Sequence, residues 1–402
     1  MATAPRALPG TRPLPPGGLV HRILSLARAQ AGLDAAVLSE FAGGSQVIRM
    51  VQGRGQAFGL LPGQRVPFED TLCRYALDTD PHGLVTDTRA DPRVRKLAFP
   101  RARGIGSYLG APVRFPDGRV YGSMFGVGAR PSPHLDPRDS AFLGTLSALV
   151  GEELGRLEEA RELKRRKARR IRDALATGNG LSMAFQPIAD LATGEPVGLE
   201  ALARFAGRPA RGPDRWFVEA VEVGLARELE MAAVRVALSS LEEVPEGLFL
   251  SVNVSPEVMV FAGFLDLLAE VPAGRVVVEL TEHSPVRNYE RVREASQTVR
   301  AAGARVAVDD VGAGYANLRH VVKLCPDLIK LDVALTRDIH LDPVRRALAA
   351  SFIAFAGEIG ATIAAEGIET EAELETLRTL GVSLGQGFHL GRPERRIIAP
   401  SS

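Results

Sequence analysis

Glu200, Asn253, Glu279, the pair Asp309 and Asp310, Lys330, Glu366 and Gln386 each stand at or just past the end of a short apolar run, a few tens of residues apart. As ligands, Glu200, Asn253, Glu279, Asp309 and Asp310 offer only hard oxygen donors, which select Mg²⁺ or Mn²⁺ over structural zinc. Adjacent Asp309 and Asp310, where a strand gives way to a loop, can turn two carboxylates toward two ions. Like charges so close need cations between them, or one pKa rises. A two-ion site suits phosphodiester hydrolysis by in-line attack of a bridging water. Lys330, inside Leu328-Ile329-Lys330-Leu331-Asp332, needs anions for its ammonium, and Asp332 is a natural partner. Glu366, between an apolar strand and a helix, can orient or deprotonate water. Gln386 has Gly385 and Gly387 beside it, so backbone can approach a ligand there. Singly, Asp309 or Glu366 reads as a helix cap, Lys330 as a snorkelling surface residue and Asn253 as a turn residue. At successive strand ends, the set reads as a metal-dependent active site.

The elements that must position these residues are short runs rich in Val, Ile, Leu and Phe: Ala184 to Ile188, Leu248 to Val254, Val276 to Leu280, Val306 to Val308, Leu328 to Leu331, Thr362 to Ala365 and Leu384 to Phe388. Stretches of helical periodicity separate them: Trp216 to Leu241, Tyr289 to Ala302, Pro343 to Ile359 and Glu371 to Leu380. The alternation predicts an α/β fold, a (β/α)8 TIM-like barrel, whose C-terminal strand ends share one mouth.

The chain of 402 residues has room for more than that barrel. Residues 1–18, rich in Pro, are expected to be disordered. Residues 19–150 predict an α+β domain with an antiparallel sheet. In it, Leu19 to Ala27 forms a helical face, Ala35 to Phe41 a strand and Glu69 to Leu77 a helix, and Gly106 to Val113 joins Val120 to Val127 through a Pro-Asp-Gly turn. Residues 151–177 are expected to link it, as part of one long helix, to the barrel domain at 178–396. That helix carries the basic run Lys164 to Arg170 downstream of Glu152, Glu153, Glu158, Glu159 and Glu162, which can pair with it in cis or across a dimer. A solvated signalling or dimer helix outweighs a nucleic-acid contact there. With 49 Lys and Arg against 48 Asp and Glu, no global field favours nucleic acid or an anionic membrane. Two cysteines, no spanning apolar run and no signal-peptide core point to a soluble cytoplasmic protein.

Glu200-Ala201-Leu202-Ala203-Arg204 carries the signature that names the EAL family of cyclic di-GMP phosphodiesterases, and residues 178 to 396 resemble that family. Companion motifs are Phe185-Gln186-Pro187-Ile188, Ser251-Val252-Asn253-Val254-Ser255, Glu279-Leu280-Thr281-Glu282, Asp309 to Tyr315, Lys330-Leu331-Asp332, Ala365 to Thr370 and Gln386-Gly387-Phe388. The resemblance implies that Glu200, Asn253, Glu279 and Asp309 bind metal, that Asp310 helps hold a second ion, and that Lys330 and Glu366 handle the attacking water. It implies substrate contacts from Gln186, Arg204 and Gln386, with Asp332 grouped beside them, a loop after Asp310 steadied by Glu282, and linear pGpG as product. Many active relatives carry Phe and Thr in place of Val311 and Ala313, a departure read as tuning. A catalytically silent cyclic di-GMP receptor is the alternative, but silent members lose a metal ligand, the Lys or the Glu, and none is lost here.

Residues 19–150 resemble a GAF sensor domain, through Ile105 to Val113 and Asp117 to Gly122. The implied protein is a homodimer that takes an unknown small ligand at this domain. Cys73 lacks the neighbouring His of bilin-attaching photosensors and reads as a packed helix residue.

Overall fold

The computed structural model describes residues 18–74, 83–176, 180–206, 211–281, 286, 288–312 and 315–397. The expected disorder at the N-terminus falls on residues 1–17, outside the described residues. The chain divides into two compact units, 1–163 and 164–402.

The first unit packs the helix Leu19–Gln30 on an antiparallel sheet in the order β3-β2-β1-β6-β5-β4. Its strands are β1 (Ala35–Ala42), β2 (Ser45–Gly53), β3 (Arg65–Pro67), β4 (Leu84–Val85), β5 (Ser107–Arg114) and β6 (Val120–Gly128). β5 and β6 form the expected hairpin. The helix expected at 69–77 is interrupted: Phe68–Asp70 is a 3-10 turn, Leu72 to Arg74 is helical, and 75–77 lie outside the described residues. Cys73 is buried in a neutral polar cluster, its sulfur accepting from Gln46 Nε2 at 2.9 Å, Ser123 Oγ at 3.0 Å and the Tyr108 hydroxyl at 3.3 Å. Gln46 Nε2 also donates to Ser39 Oγ at 2.7 Å.

The helix Pro137–Ala176 is a single element of 40 residues. Within the second unit its basic run is used differently from the expectation. Lys167 pairs with Glu222, and Arg170 Nη1 meets Glu219 Oε2 at 2.8 Å, so these two cations find partners on the helix Pro213–Val223 in place of the upstream glutamates. The reason is geometric. Residues 167, 170, 171 and 174 share one helical face, and Ile171 and Ala174 on it are buried against Trp216, Ala220 and Leu229.

The second unit is a closed barrel in the order β10-β11-β12-β13-β14-β7-β8-β9. The strands are β7 (Leu181–Asp190), β8 (Pro196–Phe205), β9 (Phe249–Val254), β10 (Val276–Leu280), β11 (Arg305–Val311), β12 (Leu328–Leu331), β13 (Thr362–Ala365) and β14 (Leu384–Gly385). β10 is buried at every position, which is why a parallel strand covered on both faces reads as a continuous apolar run. Six strands pair in parallel with one another or with β8, while β7 runs antiparallel to both β8 and β14. The connection from β7 to β8 is a short turn pinned by Asp190, whose Oδ1 accepts from Ala192 and Thr193 N–H. A parallel crossover needs a dozen or so residues. The helix expected from Trp216 to Leu241 is two helices, Pro213–Val223 and Ala226–Ser239, because Gly224 takes the left-handed conformation at φ 73° and ends the first. Among the described residues no helix is long and apolar enough to cross a membrane.

Candidate active site

Seven strands each contribute one apolar residue to a plug inside the barrel: Ile188, Phe249, Val277, Ala307, Leu328, Ala364 and Leu384. The eighth, β8, contributes Gly198, where a Cβ would lie 2.4 Å from the Phe249 ring, so the Phe fills that space instead. Side chains repeat on one strand face every two residues. Two residues beyond the plug, in the direction of one barrel mouth, stand Glu200, Glu279, Asp309, Lys330, Glu366 and Gln386, and two residues before Ile188 on antiparallel β7 stands Gln186. The reversed strand therefore still delivers its glutamine to the same end.

Lys330 is the centre. Its Nζ lies 3.1 Å from Glu200 Oε2, 3.0 Å from Glu279 Oε2, 3.6 Å from Asp309 Oδ1 and 2.5 Å from Glu366 Oε1. Burial alone pushes an ammonium down, but the carboxylates of Asp309, Glu200, Glu279 and Glu366 hold this one well above the ordinary lysine range. Glu200 is buried too, yet Lys330 and hydrogen bonds from Asn253 Nδ2 at 2.8 Å and Gln386 Nε2 at 2.7 Å keep its carboxyl below the usual value. Glu279 goes the other way: burial and the charges of Glu200 and Asp309 push it well up. Glu366 is raised to about 8 by burial and by Asp309 and Glu200, and Asp310 to about 7 by burial and its neighbours Asp309 and Asp332.

Among the described residues, Asp310 is one of three non-glycine residues with positive φ, at 56°. It coincides with a break in the β11–β12 register between Val308 and Val311. An ordinary pleat would send Asp309 and Asp310 to opposite faces; the left-handed residue lets both reach the mouth. One oxygen from each of Asp309, Asp310 and Glu366 then lies within 4.8 Å of the others.

A cleft of about 290 Å³ opens here, lined by Gln186, Glu200, Asp309, Glu366 and Gln386, together with Val333, Gly367, Glu369, Gly387 and Phe388. The acids outnumber the ammonium, the donors are all oxygens, and Gln386 Oε1 is buried with no partner among the described residues. This chemistry fits hard divalent cations.

Not every expected residue joins the cluster. Arg204 donates to the carbonyl of Ala203 and makes none of these contacts. Asp332 caps the helix Val333–Thr336 through Ala334 N–H and neighbours Asp310. Glu282 and Ala313 lie outside the described residues, while Val311 is buried in the barrel core. Ser251 went unassigned in sequence although it is fully buried and donates to Glu279 Oε1 at 2.5 Å. Thr336, whose hydroxyl donates to the Glu366 carbonyl, was also missed. The signal that would have found Ser251 is its spacing of two from both Phe249 and Asn253.

Among known families, the EAL domain matches residues 168–393 and the GAF domain residues 14–154. An uncharacterized signaling protein of Caulobacter vibrioides is 28% identical over 305 residues, covering 71% of this chain and 37% of that protein. A cyclic di-GMP phosphodiesterase of Pseudomonas aeruginosa is 30% identical over 241 residues, covering 56% of this chain and 40% of that protein. Among solved structures, the Bacillus subtilis YkuI protein, with an EAL domain, in complex with substrate cyclic di-GMP and calcium, is 26% identical at a TM-score of 0.50 and covers 57% of this chain and 60% of that one. The chain spans less than half the length of the two relatives matched in sequence.

Proposed function

The chain belongs to the EAL-domain family, and on that premise we propose that it is a metal-dependent phosphodiesterase that hydrolyses cyclic di-GMP to linear pGpG under control of its GAF unit. One observation carries the reading: four carboxylates converge on the single ammonium of Lys330 at the cleft, with Asp310 beside them, an excess of negative charge that asks for cations. The calcium and cyclic di-GMP held together by the YkuI protein support a divalent site beside the dinucleotide. Two Mg²⁺ or Mn²⁺ ions held by Glu200, Asn253, Glu279, Asp309 and Asp310 would supply Lewis acidity toward phosphoryl oxygens and a water of lowered pKa.

The chain's own groups do the rest. Glu366, raised to about 8, is matched to take a proton from water near neutrality and release it afterwards. Lys330 stays charged and, from 2.5 Å, fixes the Glu366 carboxylate that handles the attacking water. Gln386, anchored through Nε2 to Gln186 Oε1 at 2.9 Å and to Glu200, turns its free Oε1 to a substrate donor. Arg204 contacts phosphate or guanine by giving up the Ala203 carbonyl. Asp332 supports Asp310 from behind, and Glu282 steadies the loop that follows. The protein acts as a cytoplasmic homodimer, with a small ligand at the GAF unit setting its rate.

Incubating the full chain with cyclic di-GMP and Mg²⁺ or Mn²⁺ is expected to yield pGpG by chromatography. Binding without turnover in either metal would replace this reading with a silent cyclic di-GMP receptor.

A further inference from the structure

The step of two residues from the apolar plug delivers a polar side chain on every strand of the barrel. On seven strands that side chain has a role in the proposed chemistry; on β9 it is Ser251, two residues past Phe249, with Asn253 two further on. We infer that Ser251 is a positioning residue that holds Glu279 in the inward-facing rotamer on which divalent-cation binding depends. The inference rests on the metal-dependent reading given above.

Three observations carry it. Ser251 and Glu279 are both fully buried, so the hydroxyl and the carboxylate have no water to turn to. The hydroxyl donates to Glu279 Oε1 at 2.5 Å while Lys330 Nζ holds Oε2 at 3.0 Å, so the two ends of one carboxylate are gripped from opposite sides. Glu200 Oε2 and Asp309 Oδ1 crowd the same ammonium, at 3.1 and 3.6 Å from Lys330 Nζ, so Glu279 has acids for neighbours. A carboxylate repelled by its neighbours and tied only at Oε2 is free to rotate about its last bond; the second tie removes that freedom. The other acceptor within reach of that hydroxyl, the Val277 carbonyl, is farther away at 3.5 Å, so the single hydrogen goes to Glu279. Hydrogen bonds that orient a ligating carboxylate are worth roughly 10–100-fold in metal affinity.

The test is calorimetric titration of MnCl₂ into the metal-free full chain, without nucleotide, for wild type, Ser251→Ala and Ser251→Thr. Ser251→Ala is expected to weaken Mn²⁺ binding about tenfold. Ser251→Thr keeps the hydroxyl and is expected to bind within about threefold of wild type, with KM for cyclic di-GMP at saturating Mn²⁺ unchanged in both. Wild-type affinity in Ser251→Ala overturns the inference. Should Ser251→Ala not fold, as judged by its metal-free melting curve, Ser251→Thr decides: a tenfold loss there assigns Ser251 to packing. A wild-type chain that takes up no Mn²⁺ at all refutes the metal-dependent reading itself, and this inference with it.

Discussion

Each unit of this chain buries a knot of polar side chains, and the two knots are opposite in kind. In the GAF unit Ser39, Gln46, Cys73, Tyr108 and Ser123 are neutral and satisfy one another. In the barrel, Glu200, Glu279, Asp309 and Glu366 crowd one ammonium, and Gln386 Oε1 is left without a partner among the described residues. Buried polarity that closes on itself is architecture, because each group has replaced its water with a neighbour. Buried polarity left in surplus is held there by the rest of the fold for something that arrives later.

The contrast can be broken most forcefully at Lys330. Lys330→Met leaves the acids without their counter-charge, and denaturant titration of the metal-free protein is expected to show a loss of about 3–5 kcal/mol. A variant as stable as wild type would mean that the acids are not in surplus. Glu366→Gln acts in the other direction, since it removes an acid whose ionisation burial, Asp309 and Glu200 oppose. Turnover should fall by about 10³-fold while metal-free stability holds or rises; near-normal turnover would remove Glu366 from the chemistry. Occupancy comes next: Mn²⁺ at a hundred times its Kd should stabilise the barrel by about 2.7 kcal/mol and leave melting of the GAF unit unmoved. Equal shifts in both would erase the distinction.

The smallest effect belongs to the closed knot. Burial pushes the Cys73 thiol above its ordinary 9.0, against the hydrogen bonds from Ser123, Tyr108 and Gln46. Above pH 9 the unfolded chain gives up this proton and the folded chain keeps it, so the thiol's contribution, full below that pH, is lost as pH rises. Denaturation midpoints at pH 8 and pH 10 should therefore differ less in Cys73→Ala, which itself costs about 1 kcal/mol. An unchanged pH dependence would show that the thiol ionises in the folded protein.

What the sequence made legible follows the same division. Glu200, Glu279, Asp309, Lys330, Glu366 and Gln386 stood out because a charge or amide on an apolar strand is costly without a purpose. Ser251 was hidden because serine in a strand costs little and carries no charge. The direction of β7 was hidden as well, since an antiparallel strand with its site residue two before the plug reads like a parallel one with it two after. The left-handed turn at Asp310 leaves no compositional mark, for no glycine announces it. Lys167 and Arg170 misled for a related reason: their partners Glu222 and Glu219 lie about fifty residues downstream, beyond the reach of any helical spacing rule.

The seam between β14 and β7 joins the first and last strands of the barrel. There Leu384 pairs with Asp190, Gln386 Nε2 reaches Gln186, and Phe185 and Glu394 exchange both backbone hydrogen bonds. During translation, the early half of the cleft leaves the ribosome nearly two hundred codons before the half that completes it. A nascent chain carrying Glu200 and Lys330 but not yet Gln386 has Glu200 without the amide that braces it, so the cleft closes only once Gln386 has been made and paired across this seam.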